Sequence, residues 1–215
     1  QVGPLERQAE KARIYLKKKE ELKEYDLILA SRSPRRRQLL ADCGLEFSLA
    51  GDYEVVEEYP RDLPADEVAA FLSRLKSEAY PEPLGGKDIL ITADTVVIAD
   101  GRILGKPAGR ETALDMLRSL SGRSHSVITG VTLRNGSRSR TFDSRTKVFF
   151  KQLSDEEIDY YVDRYRPYDK AGAYGVQSLG ALLVERIDGD FYNVMGLPVE
   201  KLGQCLTKHF GVRFF

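Results

Sequence analysis

Only two cysteines and two histidines occur among the 215 residues, and neither sign of charge is in excess, with 33 Lys and Arg against 33 Asp and Glu. Cys43 and Cys205 lie far apart and near no histidine cluster, so neither a disulfide framework nor a zinc site is expected. Zero net charge disfavours any partner held by bulk positive charge, nucleic acid included. No apolar run approaches the ~18 residues of a membrane span, and the first residues are charged where a secretory signal would be apolar. A cytoplasmic protein with no membrane or nucleic-acid partner is therefore expected. Also missing are G-x-x-x-x-G-K-S/T, G-x-S-x-G and C-x-x-C, which counts against P-loop, α/β-hydrolase and thiol-redox chemistry. The chain does have an ordinary globular composition, 42% hydrophobic and 31% charged with 18 Gly. Its length allows one large domain or two lobes with cores of their own.

Apolar spacing organises the chain as follows. Leu5, Ala9, Ala12 and Leu16 put a thin apolar stripe on a Lys/Glu-rich helix from Leu5 to Glu24. A short strand, Tyr25 to Ala30, leads through Ser31-Arg32-Ser33-Pro34 into a helix ending near Gly44, and one or two strands are expected over Glu46 to Val56. After a helix from Asp66 to Ala79, the nearly continuous apolar run Asp88 to Ala99 predicts a central strand, turned at Asp100-Gly101 into Arg102 to Leu104. A helix from Arg110 to Ser121 precedes two long strands, Ser124 to Arg134 and Ser137 to Phe150, around Asn135-Gly136. Ser154 with Glu157 predicts a capping box for a helix through Tyr165, Ala181 to Ile187 a strand, and Pro198 the start of a last helix to Phe210. Strands, helices and hairpins without a fixed repeat indicate a mixed α/β protein containing antiparallel pairs.

Two features break local rules. Ser33 suits an N-cap and Pro34 the first helical position, so Arg35, Arg36 and Arg37 fall in the first turn. The positive end of a helix disfavours cations by roughly 0.3–1 kcal/mol each. Either the arginines point away into solvent, or backbone N–H groups, the Ser31 and Ser33 hydroxyls and the guanidinium groups together grip a phosphate chain. Asp94 interrupts the apolar strand, and a carboxylate there is costly unless paired or metal-bound. It either caps a neighbouring turn at a strand end, or serves as a metal ligand or general base facing a cleft. The acidic stretch Asp52 to Glu67 is either a solvated loop or a source of magnesium ligands. Lys76, one turn after Leu72, and Lys106, after a hairpin, are weak signals alone. In the glycine-rich Asp169 to Gly180, Gln177 can offer donor and acceptor to a base edge, or is simply a surface residue of a tight loop. His125 is expected to be structural.

Taken in order, Leu29 to Arg36 (LASRSPRR), Glu57-Glu58, Leu72 to Lys76, Ala93 to Val97 (ADTVV), Leu104 to Pro107 (LGKP), Ser121 to His125 (SGRSH), Asp169 to Gly175 (DKAGAYG) and Asn193 to Pro198 resemble the Maf family of nucleoside triphosphate pyrophosphatases. The resemblance implies a Maf/ITPase-like fold over residues 27–213, a mixed and partly antiparallel twisted sheet flanked by helices with a cleft between two lobes. Residues 1–26 form a helical N-terminal extension outside it. It further implies hydrolysis of a nucleoside triphosphate to the monophosphate and pyrophosphate with a divalent metal, Mg²⁺ or Mn²⁺, and a homodimer. The loop D-K-A-G-A-Y-G-V-Q looks like the branch that acts on dTTP and UTP, normal or modified pyrimidine nucleotides being open, with Arg35, Thr95 and Gln177 linked to substrate choice. By the same resemblance Asp94, Lys76 and Lys106 are catalytic, and Glu57, Glu58 and Asp94 hold metal. Ser31, Ser33, Arg35, Arg36, Thr95, Lys170 and Gln177 bind substrate. Ser77 stands where the family often has Ala, and a small insertion in the acidic loop leaves both Glu57 and Glu58 open as the functional acid. A competing expectation is a nucleotide-binding regulator of septum formation without turnover, which needs the phosphate site but not Asp94.

Overall fold

The structure is a computed structural model that describes Arg13 and residues 25–214, so the N-terminal helix expected from Leu5 lies, Arg13 apart, outside the described residues. The elements run β1 (Asp26–Ala30), α1 (Pro34–Asp42), β2 (Phe47–Leu49), α2 (Val68–Glu78), β3 (Asp88–Ala99), β4 (Arg102–Leu104) and α3 (Arg110–Leu120). They continue through β5 (Ser124–Arg134), β6 (Ser139–Phe150), α4 (Asp155–Tyr165), β7 (Val184–Asp188), α5 (Phe191–Met195) and α6 (Val199–Phe210), with short 3₁₀ turns at Ala171–Ala173 and Ser178–Leu182. One seven-stranded mixed sheet has the order β2-β1-β3-β5-β6-β7, and β4 also pairs with β3.

The organising feature is β3. Along one side it pairs antiparallel with β5 from Leu90 to Ile98. Along the other, β1 covers Asp88 to Thr92 in parallel, and β4 covers Val97 to Ala99 antiparallel. Residues 93–96 thus have no strand on that side among the described residues, and both ends of this gap have a local cause. β1 stops because Ser33 caps α1, its hydroxyl accepting from the Arg36 N–H, with Pro34 at the first helical position. β4 is brought back by Asp100 and Gly101, both at positive φ (49° and 73°), as a tight right-twisting hairpin requires.

Side-chain alternation along β3 then divides the interior. Leu29, Leu40, Ile91, Ala93 and Leu206 form one core beneath α1 and α6. Val97, Leu117, Val148, Ile158 and Val162 form a second beneath α3 and α4. The gap falls at the boundary of the two. On the opposite face Val96 and Ile128 bury Val68, Ala69 and Leu72 of α2. Burial of each such side chain stabilises by about 1.5–3 kcal/mol.

Three expectations are corrected. Glu46 to Val56 yields only Phe47–Leu49, because β1 offers partners only for these residues before it ends. The strand expected from Ala181 begins at Val184, after the 3₁₀ turn Ser178–Leu182. β6 starts at Ser139 because the Asn135 side chain accepts from the N–H groups of Ser137 and Arg138, making a four-residue loop. The five-residue α5 was not anticipated; Asp190 caps it, accepting from the Tyr192 N–H at 2.8 Å, and Gly196 ends it at φ +116°.

Candidate active site

Asp94 lies in mid-strand, inside the gap, and not at a strand end. Lys76 of α2 donates to its Oδ1 at 2.5 Å, and both side chains are only 16% exposed. The same Lys76 Nζ lies 3.1 Å from Glu57 Oε2. The acidic loop is tethered here too, since the Tyr53 hydroxyl donates to the Lys76 carbonyl at 2.8 Å. Two carboxylates from distant segments therefore converge on one positive centre. Glu58 is exposed and forms no ion pair among the described residues.

Lys76 reaches Asp94 because α2 lies against the sheet with almost no clearance. Gly130 of β5 sits in register with Asp94, and a Cβ built there would fall 2.3 Å from the main-chain atoms of Ala69. Hydroxyl groups fix the helix laterally: Thr92 donates to the Ser73 carbonyl at 2.6 Å, and the Ser73 and Thr132 hydroxyls are 2.9 Å apart. Ser77, where the family often has Ala, accepts from Arg134 Nε at 3.1 Å.

Arg36 stands on the other face of β3 at the same gap. Its Nε donates to the Gly196 carbonyl at 2.7 Å, Nη1 to the Ser31 hydroxyl at 3.3 Å and Nη2 to the Thr95 hydroxyl at 2.9 Å. Burial draws its pKa below the ordinary arginine value, while the nearby carboxylate of Asp94 acts in the opposite direction. Three of its five N–H donors are thus engaged, leaving one on each terminal nitrogen. Arg35 turns elsewhere, Nη1 lying 3.9 Å from Asp169 Oδ2.

The remaining expected residues lie on the β1–α1 turn, the connection leaving β4 and the 169–177 loop. Ser31 accepts from the Ser33 N–H at 3.2 Å, ordering the β1–α1 turn. Lys106 is exposed on the connection leaving β4, whose Gly105 carbonyl accepts from the Gly172 N–H at 3.1 Å and so ties that connection to the 169–177 loop. Lys170 donates to Asp169 at 2.6 Å and lies over the Tyr165 ring. The Gln177 amide is half-buried and makes no hydrogen bond among the described residues. Behind the loop, Tyr174 packs on Phe150 and contacts His125 Nε2 at 2.6 Å. His125 is buried, as expected of a structural residue, and desolvation pushes its pKa down to about 4.

Sequence reasoning missed Tyr53, Gly130 and Thr129. A lone glycine within the β-branched run of β5 was the one available signal for Gly130.

Among the described residues no group of three or more His, Cys, Asp or Glu converges on one point. Glu57 and Asp94 do converge on the Lys76 ammonium. Two carboxylates completed by water and phosphate oxygens form a donor set that fits a hard divalent cation.

The model of the family described as Maf-like protein matches residues 26–209. A dTTP/UTP pyrophosphatase of Porphyromonas gingivalis is 50% identical over 193 residues, covering 88% of this chain and 96% of that protein. The protein of that name from Bacteroides thetaiotaomicron is 50% identical over 188 residues, 87% of this chain and 97% of its own length. Among solved structures, a HAM1 protein from Coxiella burnetii is 18% identical with a TM-score of 0.44, covering 86% of this chain and 99% of that one. No helix among the described residues is long and apolar enough to cross a membrane. With a family model spanning most of its length and relatives at half identity over nearly all of theirs, the chain belongs to the Maf family.

Proposed function

We propose that this chain hydrolyses dTTP and UTP to the nucleoside monophosphate and pyrophosphate, in the cytoplasm, at the gap in the sheet beside β3. The observation that carries this is an ordered acid, Asp94, paired with Lys76, and a buried arginine, Arg36, on opposite faces of β3 at residues 93–96, where that side of the strand has no neighbour among the described residues. Relatives at 50% identity bear the name of that activity.

Asp94 is the general base. Lys76 holds Oδ1, and Oδ2 makes no hydrogen bond among the described residues, so Oδ2 is free to orient a water and take its proton. The water oxygen forms a bond to the α-phosphorus as the α–β anhydride bond breaks, and pyrophosphate leaves with the bond's electron pair. Arg36, through its two unengaged donors, and Lys106 neutralise charge on the departing oxygens. Ser31, Ser33, Arg35 and Lys170 hold the phosphate chain, while Gln177 and Thr95 lie towards the base. A divalent cation, Mg²⁺ or Mn²⁺, held by Glu57 and Asp94 would withdraw charge from the phosphate oxygens. Lys76 pairs with both of these carboxylates.

The test is a panel of dNTPs, NTPs and modified pyrimidine nucleotides with Mg²⁺ or Mn²⁺, measuring monophosphate and pyrophosphate together. Equimolar release from UTP and dTTP is expected. Release of inorganic phosphate instead, or no turnover of any nucleotide, overturns the proposal.

A further inference from the structure

Thr129 is fully buried in β5, touches neither core lysine nor acid, and lies outside every motif that the site draws on. Its hydroxyl nevertheless sits in a chain whose proton order can be worked out by elimination. The Asn193 carbonyl has no proton and can only accept, so Thr129 Oγ1 donates to it, at 3.0 Å. A threonine hydroxyl has one proton. Thr95 Oγ1, 2.8 Å away, must then be the donor to Thr129. With its own proton so directed, Thr95 presents only a lone pair towards Arg36, whose Nη2 donates to it at 2.9 Å. The polarity runs one way, from Arg36 through Thr95 and Thr129 to the carbonyl of Asn193.

The far end of that chain is held rigidly. Asn193 is fully buried; its Oδ1 accepts from the Thr129 N–H at 3.1 Å, and its Nδ2 donates to the Val127 carbonyl at 3.0 Å and to Thr146 Oγ1 at 2.9 Å. Three residues on, the Gly196 carbonyl takes Arg36 Nε. The short helix α5 therefore grips the guanidinium at two points, directly at Nε and through two threonine hydroxyls at Nη2. Two points fix the plane of the guanidinium, and hence the direction of its two free N–H groups.

We propose that Thr129 is a positioning residue that takes the Thr95 proton, so fixes the direction of the Thr95 lone pairs, and thereby sets the orientation of Arg36 towards the phosphate chain. This rests on the triphosphate reading above. Thr129→Val suits the test, because the Thr129 N–H keeps its bond to Asn193 and the Asn193 carbonyl keeps the Gly196 N–H at 3.0 Å. What is lost is the Thr129 hydroxyl with its two bonds, to Thr95 and to the Asn193 carbonyl, and with them the proton order.

The experiment is a double-mutant cycle on kcat/KM for UTP and, independently of turnover, on calorimetric Kd for the non-hydrolysable α,β-imido-UTP. Disordering the Arg36–Thr95 hydrogen bond should weaken both by about tenfold in Thr129→Val. Thr129→Ser, which keeps the hydroxyl, should restore them. In an Arg36→Ala background Thr129→Val should have no further effect, because the group it orients has gone. An equal loss in both backgrounds, or no loss in the native one, overturns the proposal. If Thr129→Val does not fold, loss of both quantities in Thr129→Ser at unchanged melting temperature overturns it as well. A wild-type chain that binds the analogue without hydrolysing UTP would sink the hydrolase reading, and the binding cycle would still decide this one.

Discussion

Mild acid should loosen this fold chiefly through one buried side chain, His125, since His209, also held below the ordinary histidine value, is on the surface. The imidazole is 3% exposed and packed edge-on against Phe150 and Tyr174; Nε2 meets the Tyr174 hydroxyl, and Nδ1 has no partner among the described residues. Burial alone drives its pKa from the ordinary 6.5 down to about 4. The unfolded chain therefore binds a proton that the folded chain refuses throughout that interval. By linkage, stability is complete above pH 6.5 and is lost as the pH falls towards 4. At about 1.4 kcal/mol per unit, the whole window is worth about 3 kcal/mol, and the step from pH 7 to pH 5 about 2 kcal/mol.

The chain has no tryptophan, so urea unfolding at pH 7 and pH 5 is best followed by far-ultraviolet circular dichroism. Asp66, Asp163 and Asp169 are held below the usual carboxylate range by Arg145, Arg110 and Lys170 respectively, so their contributions fade at lower pH. The decisive comparison is His125→Phe, which keeps an aromatic ring but cannot titrate. Its stability at pH 7 will be lower, because Tyr174 loses its partner, yet the loss between pH 7 and pH 5 should shrink by about 2 kcal/mol. If His125→Phe loses as much as the native chain over that interval, the acid sensitivity lies elsewhere and the reasoning fails.

Three further outcomes follow from the site. Asp94→Asn keeps the shape of the side chain without its basicity, so kcat for UTP should fall by about 10²- to 10⁴-fold with α,β-imido-UTP still bound; near-native turnover removes the base assignment. Gly130→Ala forces a methyl group into the main chain of α2 at Ala69 and should lower stability by about 1–3 kcal/mol while reducing kcat/KM through Lys76. An unchanged melting temperature and unchanged kinetics would show that α2 does not depend on that contact. Gln177→Ala should narrow the preference for UTP over CTP measured as a ratio of kcat/KM, and an unchanged ratio would take base reading away from Gln177.

What could be read along the chain depended on whether a signal was local. The start of α1 was legible because Ser33 and Pro34 carry their own conformational preferences. Asp94 was legible because it is the one charge inside an otherwise apolar and β-branched strand interior. Its partners were named only through the family resemblance and carried no local signal, since Lys76 arrives only after α2 crosses the sheet at Gly130, and Glu57 arrives on a loop without periodicity. The arrangement around Arg36 was less legible still. Arg36 and Gly196 are 160 positions apart, and nothing in the composition of a five-residue helix distinguishes a buried Asn193 from an exposed one. Hydrophobic period reports which face is buried, and a polar residue buried by a network leaves no mark in it. Glu57 and Glu58, adjacent in sequence and equal in chemistry, are separated only by which one the Tyr53 tether presents to Lys76.

Three arginines in the first turn of α1, with no acid there to offset them, remain unfavourable for the isolated helix. The fold relieves that strain only in part. Arg32 has Asp52 at 3.2 Å, but both are more than 80% exposed, and such pairs contribute little. Arg35 is 3.9 Å from an Asp169 that Lys170 already engages at 2.6 Å. Arg36 is gripped by neutral oxygens of Gly196, Ser31 and Thr95, which orient its charge without cancelling it. On the other face the two carboxylates are both directed at Lys76; they act on the Arg36 charge from a distance but pair with none of the guanidinium groups. The result is an ordered and only partly balanced positive cluster at residues 93–96 of the central strand, inside a chain whose charges sum to zero. A fold gains nothing from such a cluster in the empty protein, because like charges beside a helix N-terminus only repel. It becomes favourable when a polyanion enters, which is why the arginine cluster and the gap in β3 are best understood as parts of a single phosphate-binding device.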